Sequence, residues 1–427
     1  MKRVHRAWAV CLGCTLMLFV CGGLCVNAFS VTQPHILRFG GFTNTQTSLI
    51  TTIRALSYLV CMLLSPAYFR LLGCRRGGSL AVLLAAASFA VFGLSRTLAG
   101  FYFGAVLAGL GYGFGSMVPA TILISRWFHQ KKGLALGLCA ASTGLAMLLF
   151  SPILTALCEQ YGLSVCFFAE AAFCVICAGL TALLLRESPE RSGLEPYGEP
   201  GANRDANREA NRGPTAEAFR GAAALGPARR MLLYAAMMLL GAVASPGPAH
   251  LMILFTTAGL AEHAAAAAVS LFGLMLMLGK CVYGAACDRI GAYRADWLFG
   301  AILCAGIGLC ALADLRSAAL AFAGAALYGA GVPLSTVGLS VWADEFGGEA
   351  QVARLVQRFQ LCYGIGSLLL SAMPGAFADR TGSYAPAYAV LLAGAALSLL
   401  AVQSTYRRLG RAAPPLRRTA CRNGRRP

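Results

Sequence analysis

Twelve apolar runs, most of them about twenty residues or longer, dominate this chain, and only a lipid bilayer accommodates so many. With edges uncertain by a few residues, they lie at 7–29, 48–69, 78–95, 100–125, 133–157 and 163–185, then at 231–257, 264–287, 295–313, 317–343, 355–377 and 385–405. In hydrocarbon each backbone N–H and C=O needs a partner within its own segment, so every run must be a helix. The fold class expected is an all-α integral membrane protein of 12 transmembrane helices. Composition agrees: 58% of residues are hydrophobic and 12% charged, which excludes an ordinary soluble enzyme.

Charge placement sets the expected orientation. With the N-terminus in the cytoplasm, the cytoplasmic segments hold 29 Lys and Arg, the outer loops hold four (Arg38, Arg96, Arg316, Arg380), and Arg54 and Lys280 lie inside runs. That asymmetry is the positive-inside pattern and predicts cytoplasmic N- and C-termini at a cell membrane. It also accounts for the net charge of +18 without nucleic acid as a partner. The first run, Ala7 to Phe29, is longer than the apolar core of a signal peptide and is expected to stay as a first span. Of the 17 cysteines, Cys11/Cys14 and Cys174/Cys177 have CxxC spacing, but both pairs sit in apolar helices without neighbouring ligands, so packing is expected rather than metal or redox chemistry.

One long polar stretch divides the chain. It carries the repeat Ala202-Asn203-Arg204-Asp205, Ala206-Asn207-Arg208-Glu209 and Ala210-Asn211-Arg212, too polar to build a core. The expected organisation is an N-terminal six-helix bundle at 1–186, a cytoplasmic linker at 187–229, a C-terminal six-helix bundle at 230–406 and a basic cytoplasmic tail at 407–427. The bundles echo one another. Tyr112-Gly113-Phe114-Gly115 answers Tyr328-Gly329-Ala330-Gly331, Pro152 answers Pro374, and Gly162 answers Gly382, at near-constant offsets. Such offsets predict pseudo-symmetry.

These features together resemble the major facilitator superfamily. Gly284-Ala-Ala-Cys-Asp288-Arg289-Ile290-Gly291 looks like that family's cytoplasmic-loop signature, and the resemblance implies a conformational latch at Gly284, Asp288, Arg289 and Gly291. The matching loop of the first half has Arg70 where the aspartate would stand, followed by Gly73, Arg75 and Arg76. Arg126-Trp127-Phe128 through Lys131-Lys132-Gly133-Leu134-Ala135 looks like a segment of the oxalate/formate antiporter and monocarboxylate transporter branch. So do Glu345-Phe346-Gly347 and the stretch from Gly375 through Asp379-Arg380-Thr381-Gly382-Ser383-Tyr384. The resemblance implies a secondary transporter of a small organic anion, a monocarboxylate in the first instance, working as a monomer in a lipid bilayer by alternating access. Export of amphipathic drugs is the alternative, and a non-transporting sensor or scaffold a second.

Buried polar residues nominate a binding site. Lys280, eight residues or ~12 Å before Asp288, has no acidic neighbour in its run, and the resemblance places it at a carboxylate-binding position. Arg54 offers a two-pronged grip on a carboxylate, or snorkels to the surface. His250 follows Ser245-Pro246-Gly247-Pro248, whose prolines should break the helix and free carbonyls for a cavity; it is a candidate proton carrier or a packing residue. Tyr112 lies in the glycine run Gly109, Gly111, Gly113 and Gly115, which reads as helix packing with Tyr112 at the cavity. Glu170 is expected to have a structural partner, and Arg358 to sit at the surface. The branch often carries a second basic residue in the eleventh span; none occurs between Phe359 and Phe377. Proton or counter-anion coupling both remain open. No cofactor or metal is expected, and Gly273 to Lys280 lacks phosphate-loop spacing.

Overall fold

A computed structural model describes residues 5–128, 130–189, 194–198, 226–347 and 352–409. The Asn-Arg repeat of the linker and the tail beyond 409 lie outside the described residues. Every regular element among the described residues is helical, apart from one isolated bridge between Phe128 and Tyr197.

Twelve helices are long and apolar enough to cross a membrane. They are α1 (Arg6–Val31), α2 and α3 (the two arms of Asn44–Leu94), α4 (Leu98–Trp127), α5 (Gly133–Tyr161) and α6 (Leu163–Leu184) in the first half. The second half holds α7 (Pro227–Ala249), α8 (Glu262–Ile290), α9 (Ala292–Ala311), α10 (Ala318–Phe346), α11 (Arg354–Thr381) and α12 (Ala385–Arg408). An even number of crossings brings both ends and the linker to one face, called here the linker face; the α1–α2, α7–α8 and α11–α12 connections lie at the far face.

The pseudo-symmetry shows in the backbone. Three pairs of glycines hold left-handed turns, Gly41 with Gly259, Gly73 with Gly291, and Gly162 with Gly382, at separations of 218, 218 and 220 residues. Gly73 (φ 72°) alone turns α2 into α3, where a longer loop between 69 and 78 had been expected. A side chain there would be strained, which is why the turn falls on glycine.

Sequence breakers act locally. α1 is α-helical to Leu18, π-helical over Phe19–Asn27 and 3-10 over Ala28–Val31. α7 breaks at Ser245 before Pro246-Gly247-Pro248 and resumes at Leu251–Thr257. The freed carbonyls do not line a cavity as expected: Tyr328 Oη donates to Val243, Tyr388 Oη to Gly247 at 2.6 Å, and His250 Nδ1 lies 2.7 Å from Pro246 O. Buried carbonyls in an apolar bundle are satisfied wherever a hydroxyl or ring N–H reaches them.

The start of the linker is better anchored than its composition foretold. Tyr197 N donates to Trp127 O at 2.8 Å, and its ring packs against Trp8 and Phe128. One aromatic side chain suffices to dock a polar segment when a cluster of rings is there to receive it.

Candidate substrate site

The halves meet most closely where α5 crosses α8. A Cβ on Gly144 would lie 2.6 Å from Gly273 O, and one on Gly273 would lie 2.8 Å from Gly144 O, so the crossing is backbone against backbone. Two turns beyond Gly273, Lys280 reaches back across the divide. Its Nζ donates to Ala140 O at 3.0 Å and to Thr143 Oγ1 at 2.9 Å, both on α5. An ammonium has three protons; neutral groups take two of them here. Among the described residues Lys280 pairs with no carboxylate, and it keeps accessible surface despite its depth in the bundle.

Thr143 connects this cation to α1. Asn27 Nδ2 donates to Thr143 O at 3.0 Å, and a Cβ on Gly22 would stand 3.0 Å from the Thr143 methyl and 3.8 Å from the Tyr112 ring. The π-helical stretch of α1 thus carries the small residues against which Thr143 and Tyr112 fit; such stretches frequently mark functional sites. Tyr112 stacks on Tyr58, with ring centroids 4.5 Å apart and planes at 22°. Tyr363 on α11 lies within electrostatic reach of both rings. Asn27, Tyr58, Tyr112, Thr143, Lys280 and Tyr363 all sit deep among helices and are all only partly buried. Residues enclosed by helices yet still accessible form the wall of an internal cavity, with one positive charge and no carboxylate among these six.

Arg54 occupies a different position. It is 5% exposed, donates to Cys25 O at 2.6 Å, and lies over the Phe29 ring at 5.3 Å. It stands one layer behind the cavity wall, in reach of Tyr112 by charge rather than by a hydrogen bond. Packing explains the α4 glycines: a Cβ on Gly109 would lie 2.5 Å from Arg54 O, and Gly113 meets Cys61. Glu170 is buried with neither carboxyl oxygen hydrogen-bonded, so its expected structural partner is missing among the described residues. Arg358 is exposed, its guanidinium 3.3 Å from Tyr234 Oη.

His250 is fully buried at the seam between the halves. Since Pro246 O can only accept, Nδ1 carries the proton and Nε2 accepts from Ser48 Oγ at 2.9 Å. Both ring nitrogens are therefore occupied. The seam continues to the far face. Asp379 of α11 accepts from Asn44 N, Asn44 Nδ2, Thr45 N and Thr45 Oγ1 at 2.5–2.9 Å, capping the first turn of α2 from the other half. Tyr384 Oη donates to Asn44 Oδ1, and Arg38 pairs with Glu262.

At the linker face the halves differ. In the first, Glu187 accepts from the amides of Cys74 and Arg75, at 3.1 Å each, and from Arg126 at 3.1 Å, just past the Gly73 turn. Burial pushes its carboxyl up, but those amides and the Arg126 guanidinium outweigh burial and hold it below the usual glutamate range. In the second, Gly291 makes the matching turn and Gly284 borders open space, while Asp288 and Arg289 are exposed without hydrogen bond or ion pair among the described residues.

Sequence reasoning passed over several of these residues. Tyr58 lies one turn past Arg54, and that spacing was the available signal. Asp296 was absorbed into the edge of an apolar run; it is fully buried, accepting from Tyr283 Oη and Trp342 Nε1 at 2.7 Å each.

A model of the Major Facilitator Superfamily matches residues 15–261. Monocarboxylate transporter 12 of Rattus norvegicus is 22% identical over 408 residues, 91% of this chain and 83% of the relative. Two solved structures share the fold. The nucleoside transporter NupG aligns with a TM-score of 0.69 at 13% identity over 95% of this chain and 100% of its own. A D-xylose-proton symporter aligns with a TM-score of 0.69 at 12% identity over 94% and 98%. Twelve membrane helices in two pseudo-symmetric bundles, a cavity walled by both halves and a family match over most of the first half and the start of the second lead to one conclusion: the chain belongs to the Major Facilitator Superfamily of membrane transporters, and within it resembles the monocarboxylate transporters.

Proposed function

We propose that this protein is a secondary transporter of small monocarboxylates, moved by alternating access of the cavity between the two halves. The observation that carries the reading is Lys280, a cation on the cavity wall whose described partners are all neutral. Setting a charge in the membrane costs at least about 2.5–3.5 kcal/mol, and an arriving carboxylate offsets that where Ala140 O and Thr143 Oγ1 do so only in part. The similarity to the rat monocarboxylate transporter supports the substrate class.

In this reading the linker face is cytoplasmic, on the strength of the 29-to-4 distribution of basic residues. The far-face contacts then close the outer side, and the exposed Asp288 and Arg289 belong to an inner side that is open. A carboxylate entering from the cytoplasm competes with Thr143 for the ammonium. Lys280 released from α5 no longer ties the two halves, which then rock about the Gly144–Gly273 crossing. Tyr112 lines the path, Arg54 adds positive potential from behind the wall, and His250 with Ser48 is part of the outer gate. Lys280 carries one charge and none of the six described wall residues is a carboxylate that could take a proton, which favours anion exchange over proton coupling.

Counterflow in proteoliposomes with labelled formate, acetate, lactate, pyruvate and oxalate tests the proposal. The expected result is exchange of a monocarboxylate that disappears in Lys280→Ala, with folding verified by thermal unfolding. Absence of exchange for every acid, or exchange indifferent to Lys280, would overturn it and turn attention to amphipathic solutes.

A further inference from the structure

Two sets of tyrosines contrast in this protein. Five of those packed inside the bundles donate to a protein acceptor: Tyr68 to Gly77 O, Tyr283 to Asp296, Tyr328 to Val243 O, Tyr384 to Asn44 and Tyr388 to Gly247 O. Tyr58, Tyr112 and Tyr363 do not. Among the described residues no protein atom is hydrogen-bonded to any of these three hydroxyls, although all three sit deep in the protein and near one another. All three residues keep accessible surface, so their hydroxyls are open to water in the cavity and free to meet a ligand.

Tyr58 and Tyr112 stack and leave part of their ring surface on the cavity. Tyr363 comes from the opposite half, where α11 presses on α2: a Cβ on Gly364 would lie 3.0 Å from Leu59 Cδ1, and Thr51 Oγ1 is 3.5 Å from Ser371 Oγ. An aromatic wall thus faces the cavity from both halves, beside the cation of Lys280. Ring faces are best covered by other flat groups, stacked or edge-on, and unpaired hydroxyls by a polar substituent.

We infer that the preferred substrate is an aromatic monocarboxylate with a polar ring substituent, its carboxylate at Lys280 and its ring among Tyr58, Tyr112 and Tyr363. The inference rests on the proposed function and narrows its substrate class. A formate- or acetate-sized acid would fill the charged end and leave the tyrosine wall uncovered. With Arg54 committed to Cys25 O and no basic residue between Phe359 and Phe377 of α11, a dicarboxylate finds no partner for its second charge.

The test is competition in counterflow between pyruvate, phenylpyruvate and para-hydroxyphenylpyruvate. The wild type should prefer the hydroxylated aromatic acid to pyruvate by about tenfold or more, and to phenylpyruvate by a smaller factor. In Tyr112→Leu the aromatic-to-pyruvate ratio should fall by about tenfold. In Tyr112→Phe, which keeps the ring, only the preference for the hydroxylated over the plain ring should shrink. Should either variant fold poorly, ligand-induced thermal stabilisation of the wild type by the three acids gives the same ranking. Lys280-dependent exchange with pyruvate preferred, or an unmoved ratio in Tyr112→Leu, would overturn the inference and leave the proposed function standing. No exchange of any acid would overturn both.

Discussion

Lys280 and Arg54 are both cations inside the membrane region, and the protein treats them in opposite ways. Arg54 is sealed in by a carbonyl and an aromatic face on α1. Lys280 is hydrogen-bonded across the two halves and remains open to the cavity. A buried charge by itself therefore identifies nothing. What separates a cation that holds helices together from one that can hold a ligand is the accessible surface left once the protein's own acceptors are satisfied.

The largest effect expected from breaking this contrast is at Lys280. Lys280→Ala should lower exchange by two orders of magnitude or more while the protein stays folded, and Lys280→Arg should recover part of it. Arg54→Leu should act the other way round. It removes a charge-assisted hydrogen bond and leaves Cys25 O to find water, costing about 1–3 kcal/mol of stability, seen as a lower unfolding temperature in detergent; exchange per folded molecule should fall only severalfold. If Arg54→Leu instead abolished exchange in a stable protein, both cations would touch substrate and the contrast would collapse.

Smaller effects come from the two faces. Asp379→Asn keeps the size of the cap on α2 and removes its charge, which should weaken the far gate by on the order of 1 kcal/mol. Reaction of a cysteine introduced at the seam with a membrane-impermeant thiol reagent would report that loss as faster labelling; unchanged labelling would show that the gate does not depend on Asp379. The smallest effect belongs to Glu187. Its carboxyl is held below the usual glutamate range, so its contribution is complete above the unfolded-state value and disappears as pH falls through the folded value. Wild type should thus unfold at a higher temperature than Glu187→Gln at neutral pH, and the difference should close in acid below the ordinary carboxylate range.

The helices and their pairing into halves were legible in the sequence because apolar run length and glycine spacing are local properties. Lys280 was legible for the same reason, as one charge in a long apolar run. Arg54 shows where that reasoning stops. Its fate depends on Cys25 O and Phe29, 29 and 25 residues away along the chain and adjacent only once α1 and α2 pack. Tyr363 is harder still, since its relation to Tyr58 and Tyr112 arises from the meeting of two halves separated by the linker. The π-helical stretch of α1 and the Asp296 pocket were likewise set by packing partners rather than by the residues themselves.

The crossing of α5 and α8 has a kinetic consequence. Interdigitated side chains must change rotamer before two helices can shift, and each change adds a barrier. Gly144 and Gly273 present bare backbone to one another and have no rotamers to change. In the proposed cycle the joint is then a bearing with little intrinsic friction, and the pace is governed by how quickly the polar contacts at either rim are made and released.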